Sequence, residues 1–206
     1  MATLIIIVIT SLISIIAFNR HELFSKFEFN AYQIYHRKEW YRLITHGFLH
    51  ADWMHLIVNM LVLLSFGTVI ENYFGELEAQ GILHFPVLWY LLLYVGGLVV
   101  SSLISLKKHK DDIWYNSLGA SGAVSAVIFC SIFFAPWQKL YFYAILPIPG
   151  IIFGILYLWY SSYASKKNRD NINHEAHFVG ALFGFIFPLL IDVRLINIFI
   201  HHLLEF

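Results

Sequence analysis

Four polar residues of this chain are of the types that carry out acyl transfer. Ser121 lies in the sequence Gly-Ala-Ser-Gly at residues 119–122, and its hydroxyl becomes a good nucleophile only when a neighbouring base takes its proton. His177 is the candidate base, because neutral imidazole has a pKa near neutrality. His55 and Asn59 are four residues apart and would share one face of a helix, where they could donate hydrogen bonds to an oxyanion. With the backbone N–H of Ser121, these residues predict a Ser–His dyad and an Asn/His oxyanion hole.

The composition places these residues in a membrane protein. The 206 residues are 59% hydrophobic and 13% charged, with a mean hydropathy of +0.69, whereas soluble domains carry about 25% charged residues. Six apolar runs each approach the ~17 to 25 residues that a membrane-spanning helix needs. They lie at about residues 3–18, 53–70, 82–106, 118–137, 146–164 and 176–200. Because the runs lack the alternation of barrel strands, we expect an all-α, polytopic bundle of six transmembrane helices.

We expect residues 1–206 to form a single domain with a long interfacial loop at 19–52 and no soluble appendage. The first apolar run has no basic residue before it and no small-x-small pattern after Phe18, which favours a retained helix over a signal peptide. A single cysteine, Cys130, excludes an internal disulfide. No basic patch or glycine-rich phosphate loop is present, so the sequence predicts no nucleic acid partner. Its apolar runs predict the lipid bilayer as a partner instead.

The predicted helices explain how the polar residues could meet. Successive spans alternate in direction, so the second, fourth and sixth helices begin on one side of the membrane, each with its polar residues in its first turns. Gly180 and Gly184 form a G-xxx-G pair, a pattern that lets helices approach closely, and His177 lies on the same stripe. Gly122 is part of a second stripe beside Ser121. These stripes predict contact between the fourth and sixth helices that brings hydroxyl and imidazole together.

No carboxylate is well placed as a third catalytic member. Asp52 and Asp192 lie away from the depth of the site, and Glu175 points elsewhere on the helix than His177 does. The prediction is therefore a dyad, not a triad.

A metal or haem site is the alternative that the histidines suggest. His46 and His50 are four residues apart, and imidazole is the commonest metal ligand. However, no cysteine or carboxylate completes a tetrahedral set with them, so we expect no metal and no cofactor. We expect His50 instead to bond loop backbone and brace the loop against the second helix.

These motifs, in this order, resemble the rhomboid family of intramembrane serine proteases over nearly the whole chain, in its minimal six-helix form. The resemblance implies a serine endopeptidase that cleaves transmembrane protein substrates near the ends of their helices. It also implies that the fifth helix, with Pro147 and Pro149 at its start, acts with the following loop as a substrate gate. The matching segments are Trp40-Tyr41-Arg42, His55-x-x-x-Asn59, Gly119-Ala120-Ser121-Gly122 and Ala176-His177-x-x-Gly180-x-x-x-Gly184.

One position departs from that family's pattern. Ser125 lies one helical turn after Ser121, where many relatives carry an aromatic ring that stacks on the base. Two hypotheses follow: either another aromatic residue supports the base, or the chain is a catalytically inactive rhomboid-like protein that binds membrane clients.

The distribution of basic residues bears on the orientation of the chain. Of its 13 lysines and arginines, only Lys139 and Arg194 lie on the side opposite the predicted site, which by the positive-inside rule would place the site in the cytoplasm. The family resemblance implies the reverse, a cytoplasmic N-terminus. We keep the family orientation as the prediction, in a bacterial inner membrane.

Overall fold

The computed structural model describes residues 1–142, 146–166 and 173–205. Most of this part of the chain is helical, and two short antiparallel strand pairs connect its loops. The pairs are β1 (Phe29–Asn30) with β2 (Asn116–Ser117) and β3 (Lys139–Phe142) with β4 (Leu146–Pro149). The helices are α1 (Ala2–Phe18), α2 (His21–Phe27), α3 (Ala31–Arg37), α4 (Arg42–Thr45), α5 (Trp53–Ala79), α6 (Pro86–His109), α7 (Ser121–Phe134), α8 (Gly150–Ser165), α9 (His174–Ile191) and α10 (Ile196–Leu204).

The helices have the length and surface of a membrane bundle. Among the described residues, three helices, α5, α6 and α9, are long and apolar enough to cross a membrane. The apolar helices α1 and α7 are shorter. Many large apolar side chains are exposed, such as Ile5 of α1 and Leu61 of α5, and an extensive apolar surface of this kind suits contact with lipid. The protein is therefore an all-α integral membrane protein.

The central element is α7, because α5, α6 and α9 pack around it. Every residue from Gly122 to Phe134 is buried. Small residues allow two of these contacts, with Gly97 of α6 against Ala123 and Gly184 of α9 against Ala126. A Cβ added at Gly184 would lie 1.9 Å from the carbonyl oxygen of Ala126, so the approach of α9 to α7 requires glycine there.

We expect Gly184→Ala to destabilise the bundle, because the added methyl group meets backbone that cannot move without separating two helices. Overpacking of this kind costs about 1 to 3 kcal/mol. Thermal unfolding of purified protein in detergent would measure the change. The matched control is Gly75→Ala on α5, where a Cβ would meet nothing within 4 Å. Equal melting temperatures for the two variants would contradict the close contact.

Three helices have ends that differ from those predicted, each for a local reason. The second predicted helix continues past residue 70 to Ala79, because Phe74 and Leu77 extend its buried face. The third begins at Pro86 instead of residue 82, since proline suits the first turn of a helix. The fourth spans only Ser121–Phe134, because Gly119 has a φ of +110° and Pro136 follows closely.

The predicted fifth and sixth helices were also too long. The segment predicted as the start of the fifth is strand β4, and α8 begins at Gly150 because the prolines at 147 and 149 cannot donate the backbone hydrogen bonds of a helix interior. The sixth begins at His174 and ends at Ile191 instead of residue 200. Asp192 then adopts extended backbone, its side chain accepts from the N–H of Arg194 at 2.8 Å, and α10 follows as a separate helix.

The loop at 19–52 is structured and contains α2, α3, α4 and the 3-10 turn His46–Phe48. Arg42 is its buried anchor. The guanidinium donates to Glu39 Oε2 at 2.7 Å and to the carbonyl of Glu28 at 2.8 Å. The hydrogen bond from Arg42 lowers the pKa of Glu39. These bonds fix the loop beside the end of the bundle where α5, α7 and α9 begin.

Candidate active site

The first residue of α7 is Ser121, and the backbone before it sets the direction of its side chain. Gly119 has a positive φ, a conformation that favours glycine, and its N–H donates to the carbonyl of His46 at 3.0 Å. This turn leads from the loop into α7, with Ala120 as the N-cap residue and Ser121 as the first residue of the helix. The hydroxyl of Ser121 consequently lies at the N-terminal end of α7, where it lines a large cavity.

The imidazole of His177 is within hydrogen-bond distance of that hydroxyl. Its Nε2 lies 2.7 Å from Ser121 Oγ, so the structure brings together the two residues that the sequence suggested as a pair. The side chain of Asn173 accepts from the N–H of Ala176 at 3.0 Å and anchors the start of α9. A Cβ at Gly180 would lie 2.2 Å from the carbonyl oxygen of Gly122, which shows how closely α9 approaches α7 beside the pair.

The carboxylates considered from sequence have other partners. Asp52 accepts from the N–H of His55 at 2.8 Å and caps α5. Glu175 forms an ion pair with Lys108 at 3.7 Å. Asp192 pairs with Arg194 near the far end of α9. None of these contacts directs a carboxylate to the imidazole of His177.

His55 and Asn59 lie on α5 and line the same cavity as Ser121. The N–H of Ala51 donates to His55 Nδ1 at 3.4 Å, which leaves Nε2 as the ring nitrogen of His55 that can donate. A Cβ at Gly119 would lie 2.7 Å from His55 Cε1 and 2.9 Å from Nε2, so the ring rests on the backbone just before Ser121. One N–H of the Asn59 amide donates to the carbonyl of His55 at 2.9 Å. Both side chains thus line the cavity that Ser121 lines, and each can donate a hydrogen bond there.

His50 is buried near the site but bonds differently from the prediction. Its Nδ1 lies 2.9 Å from Ser14 Oγ of α1, and Ser14 donates to the carbonyl of Phe48 at 2.8 Å. The expected bond from His50 to loop backbone is therefore replaced by a side-chain bond that ties the loop to α1. Burial lowers the pKa of His50 to about 3, so its ring is neutral. The rings of His50 and His55 meet edge-on with centroids 4.9 Å apart.

The cavity around the pair has a volume of about 1000 Å³ and lies among the first turns of α5, α7 and α9. Polar side chains form much of the wall on the α6 side. Among them, Ser102 Oγ lies 3.2 Å from His46 Nε2, and Asn173 donates to Ser105 Oγ at 3.1 Å. Such a wall can hold water beside Ser121, which hydrolysis needs. In the part of the chain that the structure describes, no three His, Cys, Asp or Glu residues are grouped as metal ligands would be.

One residue beside His177 was missed by the sequence reasoning. Tyr157 of α8 has its ring nearly parallel to that of His177, at 20° and 6.4 Å between centroids. Its hydroxyl lies 2.7 Å from Ser125 Oγ. A signal existed, because Gly154 and Gly150 are one and two helical turns before Tyr157 and mark the inward face of α8. Nothing in that spacing showed which residue of another helix the ring would contact.

Comparison with known proteins shows similarity to one family over most of the chain. A sequence model of the Rhomboid domain matches residues 37–192. The relatives include RHOMBOID-like protein 12, mitochondrial, from Arabidopsis thaliana, which is 30% identical over 154 residues, covering 68% of this chain and 43% of the relative. Rhomboid protein 1, mitochondrial, from Saccharomyces cerevisiae is 28% identical over 151 residues, covering 70% of this chain and 40% of the relative. Rhomboid protease GluP from Bacillus subtilis is 28% identical over 146 residues, covering 71% of this chain and 25% of the relative.

The chain spans less than half the length of each of these three relatives. The first two are named as mitochondrial, so the comparisons do not support the predicted bacterial inner membrane. Since the Rhomboid domain match covers well over half of the chain, the protein belongs to the rhomboid family.

Proposed function

We propose that this protein is an intramembrane serine endopeptidase that cleaves transmembrane protein substrates with a Ser121–His177 dyad. The observation that carries the proposal is the 2.7 Å separation of Ser121 Oγ and His177 Nε2 inside a cavity of a membrane bundle. A neutral imidazole at that distance can take the hydroxyl proton as the oxygen attacks a carbonyl carbon.

The chemistry runs in two halves. In the first, Ser121 Oγ bonds to the scissile carbonyl carbon while His177 Nε2 takes the hydroxyl proton. The intermediate collapses when His177 gives that proton to the leaving amine and the C–N bond breaks. In the second half, water attacks the acyl-enzyme by the same proton transfer, which releases the carboxyl product and restores the hydroxyl of Ser121.

The oxyanion hole in this proposal is made by His55 Nε2–H, an amide N–H of Asn59 and the backbone N–H of Ser121. In the resting state the Asn59 amide already donates one hydrogen to its own helix, and its second hydrogen remains for the oxyanion. Donors fixed in advance stabilise the charge that develops in the transition state more than they stabilise the substrate.

We propose six transmembrane helices, α1, α5, α6, α7, α8 and α9. α7 has 14 residues, which at about 1.5 Å per residue gives about 21 Å, less than the ~30 Å hydrocarbon core. A helix that is enclosed by other helices does not need to cross the whole core itself. If the C-terminal end of α7 reaches one membrane surface, Ser121 lies roughly 9 Å inside the core at the other end.

A substrate helix would approach through the gap between α5 and α8. α8 packs on α7 and α9, whereas it makes little contact with α5. Cavity-lining residues on both sides of this gap, Val58 and Val62 of α5 and Tyr157 of α8, face the site. The gap would let a substrate segment enter from lipid. Such entry is what the gate role requires of α8, the fifth of the six transmembrane helices.

The test is cleavage of a transmembrane substrate by purified protein reconstituted in liposomes. We expect the wild-type protein to cut the substrate and Ser121→Ala to leave it intact, because the variant has no nucleophile. A matched control is Ser162→Ala on α8, outside the cavity lining. Cleavage by Ser121→Ala at the wild-type rate would overturn the proposal. Binding of the substrate without cleavage by the wild-type protein would favour the catalytically inactive, client-binding alternative.

A further inference from the structure

Tyr157 lies on the face of α8 that packs into the bundle. Gly150, Gly154 and Ser161 are the buried residues of this helix, and Tyr157 falls on the same face at helical spacing. A Cβ at Gly154 would lie 3.3 Å from the Phe129 ring of α7, so the glycine brings α8 close to α7 one turn before the tyrosine. The ring of Tyr157 is therefore directed toward α7 and α9, not toward lipid.

Contacts from three helices hold this ring in one orientation. Its hydroxyl lies 2.7 Å from Ser125 Oγ, and either oxygen can donate the hydrogen bond. Phe153 of α8 stacks on it with centroids 5.7 Å apart, and Phe129 of α7 packs at 5.6 Å. The nearly parallel imidazole of His177 lies beside it as well. Offset parallel rings with centroids up to about 7 Å apart attract each other.

The position of His177 requires lateral support for the dyad to work. A histidine can rotate about its side-chain torsions, and its terminal torsion is broad. A rotation that moves Nε2 by about 1 Å would lengthen the hydrogen bond to Ser121 Oγ and slow proton transfer. Misplacement of that size can lower the rate about a hundredfold. A fixed ring beside the imidazole limits this rotation.

We propose that Tyr157 is a positioning residue for His177 and that Ser125 anchors Tyr157 through their hydroxyl pair. The inference rests on the proposed protease function. Because Tyr157 belongs to α8, the base is held in place only while α8 is packed against α7 and α9. Displacement of α8 by an entering substrate helix would release the base, and return of α8 would restore it. In this way α8 connects substrate entry to the geometry of the dyad.

The first test separates positioning from packing by steady-state kinetics in liposomes. Tyr157→Leu removes the ring, and we expect kcat to fall about tenfold to a hundredfold with KM changed by less than about twofold. Tyr157→Phe keeps the ring and loses only the hydroxyl that Ser125 anchors. Its kcat should therefore lie between those of Tyr157→Leu and the wild type, and closer to the wild type. The matched control is Trp159→Leu, an aromatic replacement on the lipid-exposed face of the same helix. A kcat for Tyr157→Leu equal to that of the control, or a loss confined to KM, overturns the proposal.

The anchor is tested by a double-mutant cycle. Ser125→Ala and Tyr157→Phe each remove one side of the hydroxyl pair, so the double variant should lose no more activity than either single variant. Losses that multiply in the double variant would show that the two hydroxyls act separately. Either that result, or an unchanged kcat in both single variants, would overturn the anchoring role of Ser125.

A readout without catalysis distinguishes failure of this inference from failure of the protease proposal. In protein labelled with 13C-histidine, the ring resonance of His177 is identified by its absence in His177→Gln. We expect the same resonance in wild type and Tyr157→Phe, and a shifted or broadened one in Tyr157→Leu. An unmoved resonance in Tyr157→Leu rejects positioning even in active protein. If the wild type does not cleave substrate but the resonance moves as expected, only the protease proposal fails.

Discussion

Replacing His177 with alanine is expected to lower cleavage of a transmembrane substrate at least about a thousandfold, because the serine hydroxyl then has no base within reach. The 2.7 Å contact between His177 Nε2 and Ser121 Oγ is the geometry that alanine removes. Initial rates in liposomes, at substrate concentrations above KM, would measure the loss.

A second histidine in the cavity is the matched control for that variant. His109 lines the same cavity and stacks on Tyr115 with centroids 3.6 Å apart, on the side of α6. We expect His109→Ala to keep most of the activity. The double variant Ser121→Ala, His177→Ala should be no slower than either single variant, since two residues that act as one unit are not additive. Comparable losses in His109→Ala and His177→Ala would contradict the assignment of the base.

Replacing Asn59 with alanine is expected to lower kcat about a hundredfold to a thousandfold, the effect of removing one oxyanion donor. KM should change little, because the lost hydrogen bond forms mainly in the transition state. Asn59 also bonds the carbonyl of His55, so the variant's thermal stability must be measured alongside its rate.

Asn72 provides the control for the asparagine variant. It lies on the same helix in an exposed position outside the cavity, so Asn72→Ala should retain the wild-type kcat. If Asn59→Ala loses stability and rate together while its kcat per folded molecule is unchanged, Asn59 has a structural role and the oxyanion hole must be assigned to other donors.

Much of the candidate site could be anticipated from sequence because its determinants are local. Glycine stripes on two helices indicate close contact between them, and a polar residue in the first turn of each helix has a defined depth. The structure accordingly places Ser121 beside His177 and packs Gly180 against Gly122. Apolar composition likewise indicated a helical membrane bundle, since few other folds satisfy the backbone in lipid.

Helix ends were less predictable, because apolar composition does not distinguish a helix from the strand or turn beside it. The segment 146–149 is apolar yet pairs as strand β4, and the prolines in it, not its hydropathy, decide where α8 begins. Similarly, the apolar residues after Asp192 form α10 instead of extending α9, because the Asp192 side chain caps a new turn.

Contacts between distant segments were the other source of error. The bond between His50 and Ser14 joins the loop to α1, and no pattern in either segment points to the other. The chain has 12 tyrosines, so the sequence alone could not select Tyr157 as the ring beside the base. Its position follows from how three helices pack around Ser125 and His177.

The reactivity of Ser121 tests the central claim most directly, because it requires no knowledge of the natural substrate. Purified protein in detergent would be treated with a fluorophosphonate probe, and the modified residue would be located by mass spectrometry. We expect a single covalent adduct on Ser121 in the wild-type protein, strongly reduced labelling in His177→Ala, and none in Ser121→Ala. An unlabelled wild type, or equal labelling of wild type and Ser121→Ala, would contradict the assignment of Ser121 as an activated nucleophile.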